Sequence, residues 1–393
     1  MTTSTTPRKR PRKTTRSTGA GQPAETAEPG TGTTSAPSTG SPAGGSGEID
    51  AIETRIAAED PDTLRGLFRE ILFVRRFEER TAQSYQQAEI GGYCHLNLGE
   101  EATVVGIGAA MRPTDYLFTN YREHGYALAK GIEPGRVMAE LYGRSTGTSK
   151  GWGGSMHMYD TATRLLGGYA IVGGQVPLAV GAALAIDYRG DDDVVVCQMG
   201  EGTTNIGAFH ESLNIAALWR LPIVFLVINN QTGMGTTVEN SSAEPDLWKR
   251  AAAYRMRGER VDGTDVLAVR DMAGELIETA RREGRPALLE TVSHRLKGHS
   301  VVDPAKYRTD EDISIARDHD PVTLWQARLL DAGVLTEQSV ADLEDEVTER
   351  VSAAVEFADS SPHPEPSSLF DYTYATPVAG DSHRLPADPL FAD

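Results

Sequence analysis

The chain reads VVVCQMGEG over residues 194–202 and IVFLVINN over residues 223–230. Each stretch is an apolar strand that ends in small or polar residues, and the segment between them has the length and composition of a helix. Two strands joined by one helical crossover are parallel neighbours, and strands covered on both faces read as continuous apolar runs. The pair therefore predicts an α/β fold with a mostly parallel sheet.

Polar side chains follow both strands at the edge where open α/β sheets bind their ligands. Glu201 lies between two glycines after the first strand, and Asn230 follows the second strand. The glycines let the backbone approach a ligand closely, and a helix beginning near Thr203 directs free N–H groups toward it. Oxygen ligands suit a hard cation bound to a diphosphate. The combination predicts a metal–diphosphate site, although either motif alone also occurs in ordinary turns.

The spacing resembles the thiamine diphosphate motif, in which Gly-Asp-Gly is followed by about 25 to 30 residues and Asn-Asn. The resemblance implies thiamine diphosphate and Mg²⁺ as cofactors. It also implies that the metal is bound by the side chains of Glu201 and Asn230 and by the main-chain carbonyl of Thr232. Glutamate replaces the usual aspartate and extends the carboxylate by roughly 1.5 Å, one carbon–carbon bond. Branched-chain relatives carry the same Gly-Glu-Gly, so the resemblance implies an active variant.

Five further segments occur in the order of one enzyme family. They are GYCHL (92–96), NYREHG (120–125), KGWGGSMHMY (150–159), IVGGQVPL (171–178) and GHS (298–300). From about Arg65 to Pro321, about two thirds of the 393 residues, the chain resembles the alpha subunit of the first component of 2-oxo acid dehydrogenases. The resemblance implies the thiamine diphosphate-binding fold, a mostly parallel sheet with helices on both faces and helical extensions at both ends.

The resemblance assigns cofactor contacts residue by residue. Tyr121 and Arg122 offer a phenol and a guanidinium that can bind phosphate oxygens, and relatives use these positions for the diphosphate. Relatives also contact the cofactor's pyrimidine through the positions of Ala170 and Val172. The implied cofactor-binding residues are Tyr121, Arg122, Ala170, Val172, Glu201, Gly202, Thr203, Asn230, Thr232 and His299.

Two of the nine histidines fall in loops that reach the thiazolium ring in relatives. These are His95 and His299, which we predict to be catalytic, because an imidazole that titrates near neutrality can move protons or stabilise an alkoxide. His124 and His157 lie in the same set of loops, where support of the loop is as good an interpretation as direct participation. Lys297 stands where the pyruvate enzymes often have another histidine, which weakens any mechanism that needs two histidines there.

The family resemblance also implies that the chain works in an assembly. In relatives, the glutamate that protonates the pyrimidine ring comes from a separate beta subunit. We therefore expect an α2β2 heterotetramer that transfers acyl groups to a lipoyl-bearing acyltransferase core. The segment 154–158 favours the pyruvate and acetoin enzymes, whereas Gly-Glu-Gly favours the branched-chain enzymes. We expect pyruvate as the substrate, with a branched-chain 2-oxo acid or acetoin as the alternatives. A non-catalytic scaffold is another interpretation, suggested by Glu201 and Lys297.

Composition restricts the partners and the compartment. The chain has 38 basic and 56 acidic residues, a formal net charge of −18 at pH 7, which argues against specific nucleic-acid binding by the folded body. No apolar run approaches the roughly 18 residues of a membrane helix, so we expect no membrane partner. Two cysteines in unrelated segments, Cys94 and Cys197, favour a reducing compartment. We expect a bacterial cytoplasmic protein, with the mitochondrial matrix as the alternative.

Composition also divides the chain into three parts. Residues 1–47 are rich in Ser, Thr, Pro and Gly, carry the basic run RKRPRK at 8–13, and predict a disordered tail that solubilises the chain or docks a partner. Residues 48–360 form the predicted α/β domain with its helical extensions, and residues 361–393 form a C-terminal tail. GIGAA at 106–110 resembles a dinucleotide fingerprint, but it lacks a preceding strand and a third glycine, so we reject that interpretation.

Apolar periodicity predicts helices around this sheet. Residues such as Leu67, Ile71 and Phe77 recur at nearly helical spacing between residues 49 and 89, and another helix opens after Gly99. The remaining predicted elements are helices over residues 178–186, 266–281 and 337–358 and a strand over residues 287–292.

Overall fold

The two apolar stretches form neighbouring central strands in the computed structural model of the chain, which describes residues 46–369 and 371–372. The strands are β1 Tyr116–Asn120, β2 Leu165–Tyr169, β3 Val195–Gly200, β4 Ile223–Asn229, β5 Thr232–Gly233, β6 Thr236–Thr237, β7 Arg257–Asp262 and β8 Ala287–Val292. Within the described residues, six strands form one sheet in the order β2-β1-β3-β4-β8-β7, and every neighbouring pair is parallel. The predicted α/β fold is confirmed.

Alternate residues of the central strands enter two separate hydrophobic cores. Val196 and Leu226 belong to one core, whereas Val195 and Phe225 belong to the other. All seven residues of β4 are buried. Burying a side chain of this size contributes about 1.5–3 kcal/mol, so both faces of the sheet must be covered. The continuous apolar runs in the sequence follow from this double burial.

Helices cover the two faces. They are α1 Ser46–Ala58, α2 Pro61–Gln86, α3 Glu101–Ala110, α4 His124–Ala129, α5 Pro134–Leu141, α6 Gln175–Arg189, α7 Gly207–Trp219, α8 Val238–Ser241, α9 Val266–Glu283, α10 Asp310–Asp318, α11 Pro321–Asp331 and α12 Glu337–Ser360. Apolar residues of α2, α3, α9 and α12 form the first core with the sheet, and those of α6 and α7 form the second. Among the described residues, no helix is both long and apolar enough to cross a membrane.

The helix boundaries follow from local capping chemistry. Asp60 accepts a hydrogen bond from the Thr63 main-chain N–H at the start of α2, and Pro61 occupies the first turn. The helical pattern over residues 49–89 is therefore divided into two helices at Asp60. Asp265 caps α9 in the same way through the N–H groups of its first turn.

The structure corrects the predicted start of the crossover helix and explains the glycine of the GIGAA segment. The crossover helix α7 begins at Gly207 rather than near Thr203, because Ile206 is extended and separates α7 from a short 3₁₀ turn at Glu201–Asn205. Gly106 lies inside α3, where an added Cβ would come within 2.8 Å of Val269 Cγ1. Its glycine therefore serves helix packing, in agreement with the rejected dinucleotide fingerprint.

The predicted terminal tails fall mostly on residues whose structure is not described. Residues 1–45, residue 370 and residues 373–393 lie outside the described part of the chain. At the C-terminal end of that part, Tyr372 receives a hydrogen bond from Lys150 Nζ at 3.0 Å and packs 6.3 Å from Trp152, measured between ring centroids. This stretch of the predicted C-terminal tail therefore contacts the glycine-rich loop of the folded domain.

Candidate active site

A cavity opens at the carboxyl end of the sheet, close to the ends of β1, β3 and β4. The register of β3 and β4 pairs Gly200 with Ile228, which brings Glu201 and Asn230 to the same edge. The cavity is lined by Glu100, Asn120, Tyr121, Arg122, Gln198, Gly200, Glu201, Ile228, Asn230, Arg295 and His299. Five residues predicted from the sequence are among them: Tyr121, Arg122, Glu201, Asn230 and His299.

Arg295 places a positive charge among the predicted metal ligands. Its Nη1 donates to Asn230 Oδ1 at 2.8 Å and to the Thr232 main-chain oxygen at 2.5 Å. Asn230 donates its own Nδ2 to Glu100 Oε1 at 2.9 Å, which turns its oxygen toward the guanidinium. Two of the three predicted ligand oxygens therefore face a cation in this structure.

Glu201 supplies the third predicted ligand and is 7% exposed. Its Oε1 would lie 3.2 Å from a Cβ added to Gly233, so the carboxylate reaches the hairpin that follows Asn230. Burial raises the pKa of this carboxyl, and the nearby positive charges of Arg295 and Arg122 oppose that shift. Because burial disfavours an isolated carboxylate, a bound cation would stabilise its ionised form.

Arg122 connects the loops on one side of the cavity. Its guanidinium donates to the main-chain oxygens of Leu96 and His299, the latter at 2.9 Å. Its main-chain N–H donates to Asn120 Oδ1 at 2.8 Å, and its Nε lies 3.7 Å from Glu100 Oε1. Arg122 therefore ties the two histidine loops to the end of β1 while adding positive charge to the cavity.

His95, Tyr121 and His299 form a cluster of three rings beside the cavity. The ring centroids of Tyr121 lie 4.5 Å from His95 and 5.7 Å from His299, and the two imidazoles are 5.2 Å apart. Burial, reinforced by the charge of Arg122, lowers the pKa of His95 to about 3 and that of His299 to about 4. Both imidazoles are thus neutral at pH 7, which differs from the expectation of titration near neutrality. Within the described residues, neither buried Nδ1 has a hydrogen-bond partner.

The other predicted cofactor contacts lie outside the cavity lining. They are Ala170, Val172, Gly202, Thr203 and Thr232, of which Thr232 is linked to the cavity through Arg295. Val172 is 48% exposed and is followed by Gly173. Position 173 needs glycine, because an added Cβ would lie 1.9 Å from Ile206 Cδ1 and 3.3 Å from Thr203 Cγ2.

Six residues of the cavity lining are not among those predicted from the sequence, and the two charged ones are Arg295 and Glu100. Arg295 comes three positions after the end of β8 and four positions before His299, so its place after a third strand was the available signal. Glu100 occupies the cap position of α3, where an acidic residue reads as ordinary helix chemistry. His124 and His157 are not part of the cavity lining: His124 hydrogen-bonds to buried side chains, and His157 Nδ1 lies 3.1 Å from the Gly168 oxygen.

Residues 69–367 match the dehydrogenase E1 component family, and the chain belongs to that family. A similar protein of Rhizobium meliloti (strain 1021), named pyruvate dehydrogenase E1 component subunit alpha, is 45% identical over 304 residues, 77% of this chain and 87% of the relative. The protein of that name from Zymomonas mobilis is 41% identical over 313 residues, 79% of this chain and 88% of the relative. The predicted family and enzyme class are confirmed, and membership implies thiamine diphosphate as cofactor.

A plant protein extends the range of relatives. Pyruvate dehydrogenase E1 component subunit alpha-3, chloroplastic, of Oryza sativa subsp. japonica is 38% identical over 338 residues. The match covers 83% of this chain and 80% of the rice protein. In each of these comparisons the chain covers most of the relative, so the similarity extends beyond a shared motif.

Proposed function

We propose that the chain is the alpha subunit of a pyruvate dehydrogenase first component. It would act in the thiamine diphosphate-dependent oxidative decarboxylation of pyruvate and in acetyl transfer to lipoyl groups. One observation carries this proposal. The Asn230 side-chain oxygen and the Thr232 main-chain oxygen both accept hydrogen bonds from the Arg295 guanidinium, close to the buried carboxylate of Glu201. The names of the relatives support pyruvate as the 2-oxo acid.

The donor set fits Mg²⁺ bound to a diphosphate. A carboxylate, an amide oxygen and a main-chain carbonyl are the hard oxygen ligands that Mg²⁺ prefers, and the Arg295 guanidinium stands in for a cation at two of them. With this guanidinium in place, the cavity measures about 20 Å³, enough for a single water-sized group. A metal bound to these oxygens would replace the hydrogen bonds of Arg295, and the guanidinium donors would then be available to phosphate oxygens.

The chain's own residues would bind and orient the cofactor and would form hydrogen bonds at the reacting centre. Thiamine diphosphate, when bound, supplies the carbanion chemistry that removes carbon dioxide from a 2-oxo acid. Tyr121 and Arg122 would hold the diphosphate, with Gly202 and Thr203 at the turn after β3, while Ala170 and Val172 would contact the pyrimidine. His95 and His299, as neutral imidazoles, would donate or accept hydrogen bonds at the reacting centre, and an added negative charge would raise their pKa toward neutrality.

Exposed apolar side chains around these segments support a partner subunit. Ile171 is 77% exposed, Met234 59% and Val302 55%, and they lie in the segments that carry Val172, Thr232 and His299, respectively. Apolar side chains clustered around a binding site are typical of a surface that another protein covers. We propose a beta subunit in an α2β2 heterotetramer and a lipoyl-bearing core as partners, in the bacterial cytoplasm.

Two measurements on the alpha–beta assembly test the proposal. Titration with thiamine diphosphate and Mg²⁺ should give saturable binding, whereas a scaffold subunit would give none. Steady-state rates on pyruvate, 2-oxoisovalerate and acetoin should then give the highest kcat/KM for pyruvate. A higher kcat/KM for either competitor would reassign the substrate and leave the enzyme class unchanged.

A further inference from the structure

Three buried polar side chains form a hydrogen-bonded series outside the cavity, here called the buried relay: Glu78, His124 and Ser155. Glu78 lies on α2, His124 begins α4, and Ser155 lies in the short 3₁₀ turn Gly154–Met156. His124 Nδ1 is 2.9 Å from Glu78 Oε2, and His124 Nε2 is 2.7 Å from Ser155 Oγ. Glu78 and His124 are fully buried, and Ser155 is 4% exposed.

The buried relay holds one short segment, residues 95–97, at both ends. Ser155 Oγ accepts the main-chain N–H of His95 at 3.4 Å. At the other end, Glu78 Oε1 accepts the main-chain N–H of Asn97 at 2.9 Å. The middle of the segment therefore has little freedom to move relative to the rest of the fold.

The donors and acceptors of the buried relay run in one direction. A carboxylate only accepts hydrogen bonds, so His124 Nδ1–H donates a hydrogen bond to Glu78 Oε2. His124 Nε2 is then an acceptor, and the Ser155 hydroxyl donates a hydrogen bond to it. A lone pair of Ser155 Oγ remains to accept the main-chain N–H of His95. Every buried polar atom in this series is thereby satisfied, and removal of one member leaves its neighbour unpaired at a cost.

This arrangement matters because the His95 ring itself has few constraints. Within the described residues its Nδ1 has no hydrogen-bond partner, and its neighbours are the Tyr121 and His299 rings. The position of the imidazole is therefore set by where the main chain at residue 95 is held. A displacement of even about 1 Å at a reacting centre is enough to reduce a rate about a hundredfold.

We propose that the buried relay positions His95 for catalysis, with Ser155 as the residue that contacts its main chain. The inference rests on the proposed function, in which His95 faces the bound cofactor. The three residues of the buried relay lie outside the cavity lining and would act through His95. Of the two interpretations of His124, loop support then takes a specific form: His124 connects Glu78 on α2 to Ser155, which contacts the His95 main chain.

The first test measures the position without using activity. Ser155→Ala and the matched Ser149→Ala are made in the full alpha–beta assembly, since Ser149 is in the same loop and its Oγ donates instead to the His157 oxygen at 2.7 Å. Amide hydrogen exchange is followed in the peptide that contains residues 93–97. We expect exchange about tenfold faster in Ser155→Ala and within about twofold of wild type in Ser149→Ala, as the loss of one buried hydrogen bond implies. Equal exchange in the two variants would overturn the proposal.

The second test is a double-mutant cycle on decarboxylation with an artificial electron acceptor. Ser155→Ala should lower kcat about tenfold with the KM for pyruvate within about twofold, because orientation rather than binding is lost. In a His95→Ala background, Ser155→Ala should lower kcat by less than about twofold, because a residue that acts through His95 has nothing left to position. Independent, multiplying losses would refute positioning. An assembly that decarboxylates no 2-oxo acid would instead refute the proposed function, and hydrogen exchange would still decide whether the relay holds the segment.

Discussion

The site in and around the cavity has two halves that are built in different ways. The strand-edge half consists of Glu201, Asn230 and Thr232, which the register of two neighbouring strands brings together within one crossover. The loop half consists of His95, Tyr121 and His299, whose loops are joined by contacts such as that between Arg122 and the His299 oxygen. The first half depends on local sequence and sheet geometry, and the second depends on tertiary contacts between distant segments.

Arg295 belongs to both halves. It follows β8 in the same segment as His299, and its guanidinium donates hydrogen bonds to the oxygens of Asn230 and Thr232. Burial lowers the pKa of Arg295, and the charge of Arg122 lowers it further. Two buried guanidiniums beside one cavity favour a multiply charged anion between them, as a diphosphate is.

The largest expected effect is at the strand-edge half. Glu201→Gln keeps the size of the side chain and removes the charge that would offset a bound Mg²⁺, so affinity for thiamine diphosphate should fall at least about 100-fold, beyond the loss typical of an outer-shell partner. The fold should persist. Calorimetric titration of the alpha–beta assembly measures the affinity, with Glu211→Gln on the exposed face of α7 as control. Unchanged affinity in Glu201→Gln would remove Glu201 from the ligand set.

A smaller effect is expected where the two halves meet. Arg295→Gln removes a positive charge that would be available to the diphosphate of the bound cofactor. Affinity for thiamine diphosphate should therefore fall about tenfold, the value of a hydrogen bond to a charged group. Arg308→Gln is the matched control, because Arg308 lies in the same loop region and donates to the oxygens of Lys297 and Asp312. Tighter binding in Arg295→Gln would mean that Arg295 only competes with the metal.

The strand-edge half was predictable from sequence because its signal is short and periodic. The apolar runs, their glycines and Asn230 are all read within one βαβ unit, and the structure places Glu201 and Asn230 at one edge. The start of α7 was misplaced by four residues, since the extended conformation of Ile206 has no clear sequence signal. Helix boundaries are the least predictable feature of such patterns.

The loop half was predictable only through family resemblance. Spacing along the chain says nothing of the contact between His95 and His299, which lie about 200 positions apart but 5.2 Å between ring centroids. Their lowered pKa values could not be read from sequence either, because burial and the charge of Arg122 cause them. Ser155 and Glu78 likewise read as a loop serine and a helix-surface acid until the buried relay is seen.

A selective effect is expected at His299 in the loop half. His299→Ala should lower acyl transfer to a lipoyl domain about tenfold and decarboxylation with an artificial acceptor by no more than about threefold, because a neutral imidazole contributes hydrogen bonds rather than general acid catalysis. Both rates are measured on the same assembly. His210→Ala, on the exposed side of α7, should change neither rate. Equal losses of both activities would place His299 in decarboxylation.

The smallest expected effect is a difference in the pH dependence of stability between the two halves. In the loop half, the pKa of His95 is lowered to about 3. As pH falls below about 6.5, the unfolded chain binds this proton and the folded chain does not, so stability is lost on acidification. In the strand-edge half, burial raises the pKa of Glu201, so its unfavourable contribution grows as pH rises above about 4.5. The two halves therefore limit stability at opposite ends of the pH range.

Thermal unfolding of the cofactor-free alpha–beta assembly should separate these contributions. His95→Gln removes the titrating group of the loop half, so it should raise Tm by about 2 °C more at pH 5 than at pH 8, the size expected for a large domain when roughly 1 kcal/mol is relieved. Glu201→Gln should show the reverse order, with the larger gain at pH 8. Scanning calorimetry at both pH values measures the difference, and His210→Gln provides an exposed control. A pH-independent shift in His95→Gln would show that His95 is not held neutral by its surroundings, and the contrast between the two halves would then rest on geometry alone.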